Sequence, residues 1–424
     1  IVGAKRPTVT APSAPAGDYR GPMTDTAVDL TPESFLPDEL VAVFRERAAQ
    51  HDRDNTFFDA DLADLRGRGY LKLLVPTELG GFGASLLEVT RIQRRLAAAA
   101  PATALGMNMH QVIMSAALFA WMQEGNETAR GMLEAAARGE LFAFGISEGG
   151  NEAMLFDAFT EAEPDGEGGY RFSGTKIFTT LSPAWDHLVV HGRRTDTGEG
   201  DPELVFAYLD REPGVSWKQD WDTHGMRATQ SHTTVLDAAP ASADRVITRA
   251  PVGPNRTPFV FGIFGPFELL LAAVYIGIAE RAVQVGADAA TTRRTRTRGI
   301  PYADDPDTRW RLADAAFIVD GVVLQIEKVS ADLDALREGR TGTGITDHGA
   351  RWFLHFSGVK CRATDGAITA VDQVLRASGG SSFYVRSELE RLSRDVRAGM
   401  YQPSDAKSTH NSYATALLGD VGTR

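Results

Sequence analysis

The chain has one cysteine, Cys361, among its 424 residues. That excludes a disulfide framework and any cysteine-based metal cluster, no metal site is expected, and the composition suits a reducing, cytoplasmic setting. Long apolar runs are scarce as well. The best, "LLLAAVYIGIA" over 269–279, falls short of the roughly 18 residues that span a bilayer and reads as a buried helix. Positive charge is in deficit: 44 Lys and Arg against 56 Asp and Glu leave a net charge of -12. That balance argues against nucleic acid as the main partner. No G-x-G-x-x-G follows a strand and no G-x-x-x-x-G-K-[ST] occurs, so neither a Rossmann nor a P-loop nucleotide site is supported.

What is present is an ordinary globular composition, 43% hydrophobic and 24% charged, in a chain long enough for two or three structural units. The first 22 residues are rich in Pro, Ala and Gly and lack a signal-peptide layout, and "MTDTAVDLTPESF" from Met23 looks like a natural start. Residues 1–30 are therefore expected to be an appended or disordered arm. Residues 31–138 carry helical periodicity, with a Gly-rich loop and a helix starting near Ser85. Residues 139–258 change texture to short β-rich segments, "LFAFGISE", "YRFSGTKIFTT", "HLVVHGRR", "ELVFAYLD" and "HTTVLDAA", split by Gly, Asp and Pro turns. Residues 259–424 return to helix, in segments near 265–298, 306–338, 345–377 and 384–399. The expected fold class is α+β multidomain: an all-α N-terminal domain, a central antiparallel β-barrel or sandwich, and a C-terminal four-helix bundle.

One stretch raises a chemical question. "GTKIFTTLSPAWDH" over 174–187 places Phe178 and Thr180 two residues apart, hence on one face of a regular strand. The residues alone leave two readings open. They are strand filler, or their face holds something flat with hydrogen-bonding atoms at its edge.

From about residue 30 to 418 the chain resembles the acyl-CoA dehydrogenase superfamily, and four segments carry the resemblance. "FAFGISEGGNEA" is similar to the family's first flavin strand, and "GTKIFTTLSPAWDHLVV" to its Gly-x-Lys-x-Trp/Phe-Ile-Thr strand. "WDTHGMRATQSHTTVLD" is similar to its Gly-Met-Arg-x-Thr-x-Ser segment, and "RASGGSSFYVRSELERLSRDVRAGMY" to its Gln-x-x-Gly-Gly loop and Arg-Asp helix. The resemblance implies FAD between β-domain and bundle, in a homotetramer or homodimer. Phe178 would then cover one isoalloxazine face, with Thr180 at the flavin N5 edge and Thr179 beside it. Phe144, Ile146 and Ser147 would line the ring from the neighbouring strand. Arg293, or Arg296 after a local shift, would meet the FAD diphosphate. Gly379 and Gly380 would let backbone approach the diphosphate of a neighbouring subunit's FAD, and Arg376, where the family usually has glutamine, would add charge there.

The pattern breaks at the base that removes the substrate's α-proton. The family's Tyr-Glu-Gly falls on Tyr401-Gln402-Pro403, with Pro403 at the glutamate's place. The alternative position on the first bundle helix is Phe267, and its neighbour Glu268, an acid in an apolar helix, becomes the candidate base. Asp405 is the weaker candidate. The family's Gly-Ser-Asp is altered to "GGNEA", so Asn151, with Phe267 and Tyr401, is expected to contact substrate. The function expected first is α,β-dehydrogenation of an acyl thioester on CoA or a carrier protein, with electrons passing to a transfer protein or O2. The alternative is a flavin-dependent monooxygenase of the same fold, using O2 and FMN or another reduced flavin supplied by a flavin reductase. A non-catalytic flavin-binding paralogue ranks third.

Overall fold

The computed structural model describes residues 29–196, 200–297 and 299–421. Most of the arm read over residues 1–30, and Arg298, lie outside the described residues.

The N-terminal third is helical: α1 (Pro32–Phe35), α2 (Asp38–Asp54), α3 (Asp59–Gly67), α4 (Leu86–Ala99), α5 (Pro101–Glu124) and α6 (Glu127–Ala137). The start expected near Ser85 is a capping box. Its hydroxyl accepts from the Glu88 amide at 3.2 Å, and the Glu88 carboxylate accepts from the Ser85 amide at 2.8 Å. Helix α5 has an unbroken buried run from Thr103 to Ala120, so it serves as core rather than as a surface helix.

Eight strands follow: β1 (Phe142–Gly145), β2 (Glu161–Pro164), β3 (Tyr170–Thr179), β4 (His187–Arg194), β5 (Glu203–Leu209), β6 (Val215–Trp217), β7 (His232–Ala241) and β8 (Val246–Pro251). They form one sheet in the order β6-β7-β3-β2-β4-β5-β8, with β1 also on β4. Most pairings are antiparallel, but β1 and β2 run parallel to β4, so the sheet is mixed. Strand β1 enters from the helical domain and reaches β4 only after β2 and β3, a separation long enough for a parallel crossover.

The C-terminal part comprises α7 (Pro258–Thr292), α8 (Pro306–Arg337), α9 (Trp352–Ser378), α10 (Glu388–Asp395) and α11 (Ala406–Leu418). Helix α7 is the axis of the molecule. By length and composition alone its 35 residues could cross a membrane, yet 89% of its most apolar window is buried inside the protein. Its small residues admit neighbours closely: a Cβ on Gly277 would lie 2.4 Å from the Arg94 carbonyl of α4. The helix expected to reach 298 stops at Thr292, where the chain turns back and the Thr295 amide donates to Ile300 O at 2.9 Å. The helix expected from 345 begins at Trp352, after a segment in which Gly342 and Gly344 hold positive φ.

Candidate functional site

Strand β3 ends where the chemistry was expected. Its burial alternates through Tyr170, Phe172 and Lys176, then breaks: the pairing to β7 shifts between Lys176 and Thr179, and Phe178 sits at φ 56°. Phe178 and Thr180 therefore do not share a regular strand face, contrary to the alternation expected from the sequence. A bulge turns the Phe178 ring outward, 55% exposed, while Thr179 is fully buried and its hydroxyl has no hydrogen-bond partner among the described residues. The Thr180 hydroxyl lies 2.8 Å from Ser231 Oγ, which is 2.8 Å from Thr229 Oγ1, forming a hydroxyl row beside the ring. Trp221, a residue the motif did not single out, meets Phe178 edge to face at 6.0 Å. Phe144 is half-buried on β1, Ile146 is buried, and Ser147 O accepts from the Ile177 amide at 2.8 Å, joining the two segments directly.

Behind this face lies a buried ion pair. Lys176 Nζ is 2.8 Å from Glu148 Oε1, 2.9 Å from His191 O and 3.2 Å from His191 Nδ1. Burial pushes the Lys176 ammonium down to about 8, with Glu148 opposing. Burial acts against the Glu148 carboxylate, but the Lys176 charge and the hydrogen bonds of Thr160 and Phe159 outweigh it and hold the group at about 2. Both are charged at neutral pH. Glu148 also accepts from the Phe159 and Thr160 amides at 2.6 and 2.8 Å, so the pair fixes the loop after β1 to β3. A lysine at an inward position of an alternating strand was the sequence signal for it. Asn151 belongs to the same loop: its Nδ2 donates to Glu148 and Asp157 O, and its Oδ1 accepts from Ala153 and Met154. Its amide is engaged within the loop rather than turned toward substrate.

A second group gathers at the end of α9. Arg293 donates to Ser378 O at 3.4 Å and to Ser381 Oγ, which brings it against the loop of Gly379 and Gly380. Gly379 has φ 67° and ψ -164°, a conformation essentially reserved for glycine, and nothing lies within 4 Å of the Cβ position of either glycine. Arg376 is exposed on the last turn of α9. Arg296 is exposed and makes no hydrogen bond among the described residues, so Arg293 takes the corner.

The bundle end is organised differently. Phe267 is half-buried, 6.2 Å from Phe144 across the domain boundary. Phe264, one turn earlier, stacks with Phe156 at 6.1 Å and meets Phe353 at 4.9 Å, extending an aromatic wall away from β1. Glu268 is fully buried, one oxygen accepting from Ser404 Oγ at 2.5 Å and the other without a hydrogen-bond partner among the described residues. Burial pushes its carboxyl up to about 7, against the pull of Lys360. Tyr401 is 79% exposed, and Gln402 accepts from Tyr275 OH at 2.8 Å. Asp405 caps α11 through the Ser408 amide, a structural task.

These residues fit a flavin. A half-exposed aromatic ring, a row of hydroxyls and a backbone edge suit an isoalloxazine, and an arginine beside a glycine-only loop suits phosphate oxygens. The described residues hold no cluster of three or more His, Cys, Asp or Glu placed for a metal.

Comparison with known proteins points the same way. Residues 33–140 match the acyl-CoA dehydrogenase N-terminal domain and residues 269–403 its C-terminal domain. The chain is 30% identical to L-evernosamine nitrososynthase of Micromonospora sp., over 91% of this chain and 88% of that one. It is 26% identical to dibenzothiophene monooxygenase of Rhodococcus erythropolis, covering 84% and 86%. The solved structure of KijD3 in complex with FMN and dTDP-3-amino-2,3,6-trideoxy-4-keto-3-methyl-D-glucose superposes with a TM-score of 0.79 at 27% identity, covering 94% and 98%. With both domain models and these relatives matched over most of the chain, the chain belongs to the acyl-CoA dehydrogenase superfamily and is a flavin-dependent oxidoreductase.

Proposed function

We propose that this enzyme is a flavin-dependent monooxygenase that transfers one oxygen atom of O2 to a heteroatom, an amine nitrogen in the first instance. The observation that carries the reading is the missing base. Pro403 stands at the place of the family's glutamate, Gln402 is committed to Tyr275, and Glu268 has no exposed surface. α,β-Dehydrogenation needs a carboxylate at the α-proton, whereas oxygenation of a lone pair does not. The nitrososynthase and dibenzothiophene monooxygenase relatives, whose names denote nitrogen and sulfur chemistry, support the same choice.

Reduced flavin bound at the β-domain face would supply the two electrons that deliver one oxygen atom to substrate and the other to water. Phe178 would cover one ring face, and the Thr180 hydroxyl, held by Ser231, would meet the ring edge. Phe144 and Phe267 exclude water between the domains. The wall of Phe156, Phe264 and Phe353 offers planar parts of a substrate a stacking surface. The flavin is FAD if the Arg293–Gly379 corner holds a diphosphate. It is FMN, supplied reduced by a partner reductase, if that corner is idle. Trp310, Phe317 and Leu324 recur at seven-residue spacing on α8 and are largely exposed, which supports a homodimer or homotetramer.

The test supplies reduced FMN or FAD from a flavin reductase with NADH, isotopically labelled O2, and the amino sugar nucleotide named above with simpler amines as probes. Label in an oxygenated product is expected. Flavin bleaching by acyl-CoA without O2 would overturn the reading in favour of dehydrogenation.

A further inference from the structure

The segment that replaces the family's base is held by an unusual set of buried groups. Lys360 of α9 has no exposed surface, and its Nζ lies 2.8 Å from Gly399 O, 3.0 Å from Gln402 O and 3.5 Å from Ser404 O. One ammonium therefore gathers three carbonyls of a single loop. The loop's last residue, Ser404, sits at φ 56° and spends its hydroxyl on Glu268, with Ser357 Oγ 3.0 Å away. A serine in a left-handed conformation is strained, so something must hold it there. Glu268 on α7 holds its hydroxyl and Lys360 on α9 its carbonyl.

We propose that Glu268 and Lys360 are positioning residues which together pin the Gly399–Ser404 loop, and with it the exposed Met400 and Tyr401, against the bundle. Glu268 here is a fastening for the loop where the family's base would stand, not a group that receives a substrate proton. The inference depends on the monooxygenase reading only for which chemistry the loop borders; the pinning itself is independent of it.

Pinning has a pH signature. Burial favours the uncharged form of both groups, and each one's opposite charge opposes that. The other titratable groups acting on the pair are Cys361 and Asp365 on α9 and Asp405 ahead of α11. Because folding raises the Glu268 pKa, opening the loop releases a proton between the ordinary carboxylate range and about 7. Opening then becomes easier as pH rises, by up to about tenfold per pH unit in that window.

Hydrogen exchange of the peptide spanning 396–405, in enzyme loaded with FMN and corrected for intrinsic rates, reads this directly. The expected result is protection that falls as pH rises toward 7 in the natural protein and stays level in Glu268→Gln, which keeps an acceptor for Ser404. Lys360→Met should lose about tenfold or more of the protection at every pH. Equal, pH-independent protection in all three proteins would overturn the proposal. So would a Glu268→Gln enzyme with unchanged exchange that no longer bleaches with butyryl-CoA when the natural enzyme does, since Glu268 would then be a base. If acyl-CoA bleaches the natural and Glu268→Gln enzymes alike and the exchange pattern holds, the monooxygenase reading fails and the pinning stands.

Discussion

The β-domain face and the bundle end meet at Phe144 and Phe267, yet they use charge in opposite ways. At the β-domain face a buried lysine and glutamate touch, at 2.8 Å, and both stay ionised. At the bundle end Glu268 and Lys360 are buried without forming a direct ion pair, and each is drawn toward its neutral form. The first arrangement keeps both charges up to about pH 8. The second binds a loop through a serine and three carbonyls and responds to pH.

That contrast can be broken most severely at Lys176. Replacing it with Met leaves Glu148 buried and unpaired, which should cost about 3–5 kcal/mol of stability. Denaturant unfolding measures it, and a loss below about 1 kcal/mol would mean the pair does not organise the face. Next in size is Gly379→Ala, which places a side chain in a conformation that costs about 1–3 kcal/mol. The strain should appear as roughly tenfold weaker FAD binding with FMN binding nearly unchanged, read by flavin fluorescence titration. Equal weakening of both flavins would separate this corner from the diphosphate.

The bundle end yields the pH experiment. Folding raises the Glu268 pKa, so its contribution to stability is full below the ordinary carboxylate range and is lost as pH rises through about 7. The slope should reach about 1.4 kcal/mol per pH unit at most. Melting temperatures followed across that window should fall in the natural protein relative to Glu268→Gln, and parallel curves would contradict it. Smallest is Phe178→Gly. Losing the ring should weaken flavin binding by about 0.5–1.5 kcal/mol. Stability should hold or rise slightly, because glycine accepts φ 56° without strain.

The same two regions show how far the sequence could be read. The three-part architecture and the family followed from local texture and four short motifs, because helix caps, strand alternation and turn glycines are local. Phe178 was expected to share a strand face with Thr180, but alternation along a strand does not hold past the bulge at Lys176–Thr179, and the ring meets Trp221 instead. Bulges depend on how two strands meet and leave little trace in one of them. Lys176 was visible as a residue and invisible as half of a pair, since its partner lies 28 positions away. Glu268 was recognised as an acid in apolar surroundings. Its partner Ser404 is 136 positions distant, and only the packing of the segment ahead of α11 against α7 reveals what the carboxylate holds.

The proposed oxygenase joins a flavin face at Phe178 to a bundle end with Pro403 at the place of the family's base. Anaerobic mixing of the flavin-loaded enzyme with a series from butyryl- to palmitoyl-CoA, followed by absorbance, tests that union directly. The flavin should remain oxidised with every thioester; bleaching by any one of them would contradict the account.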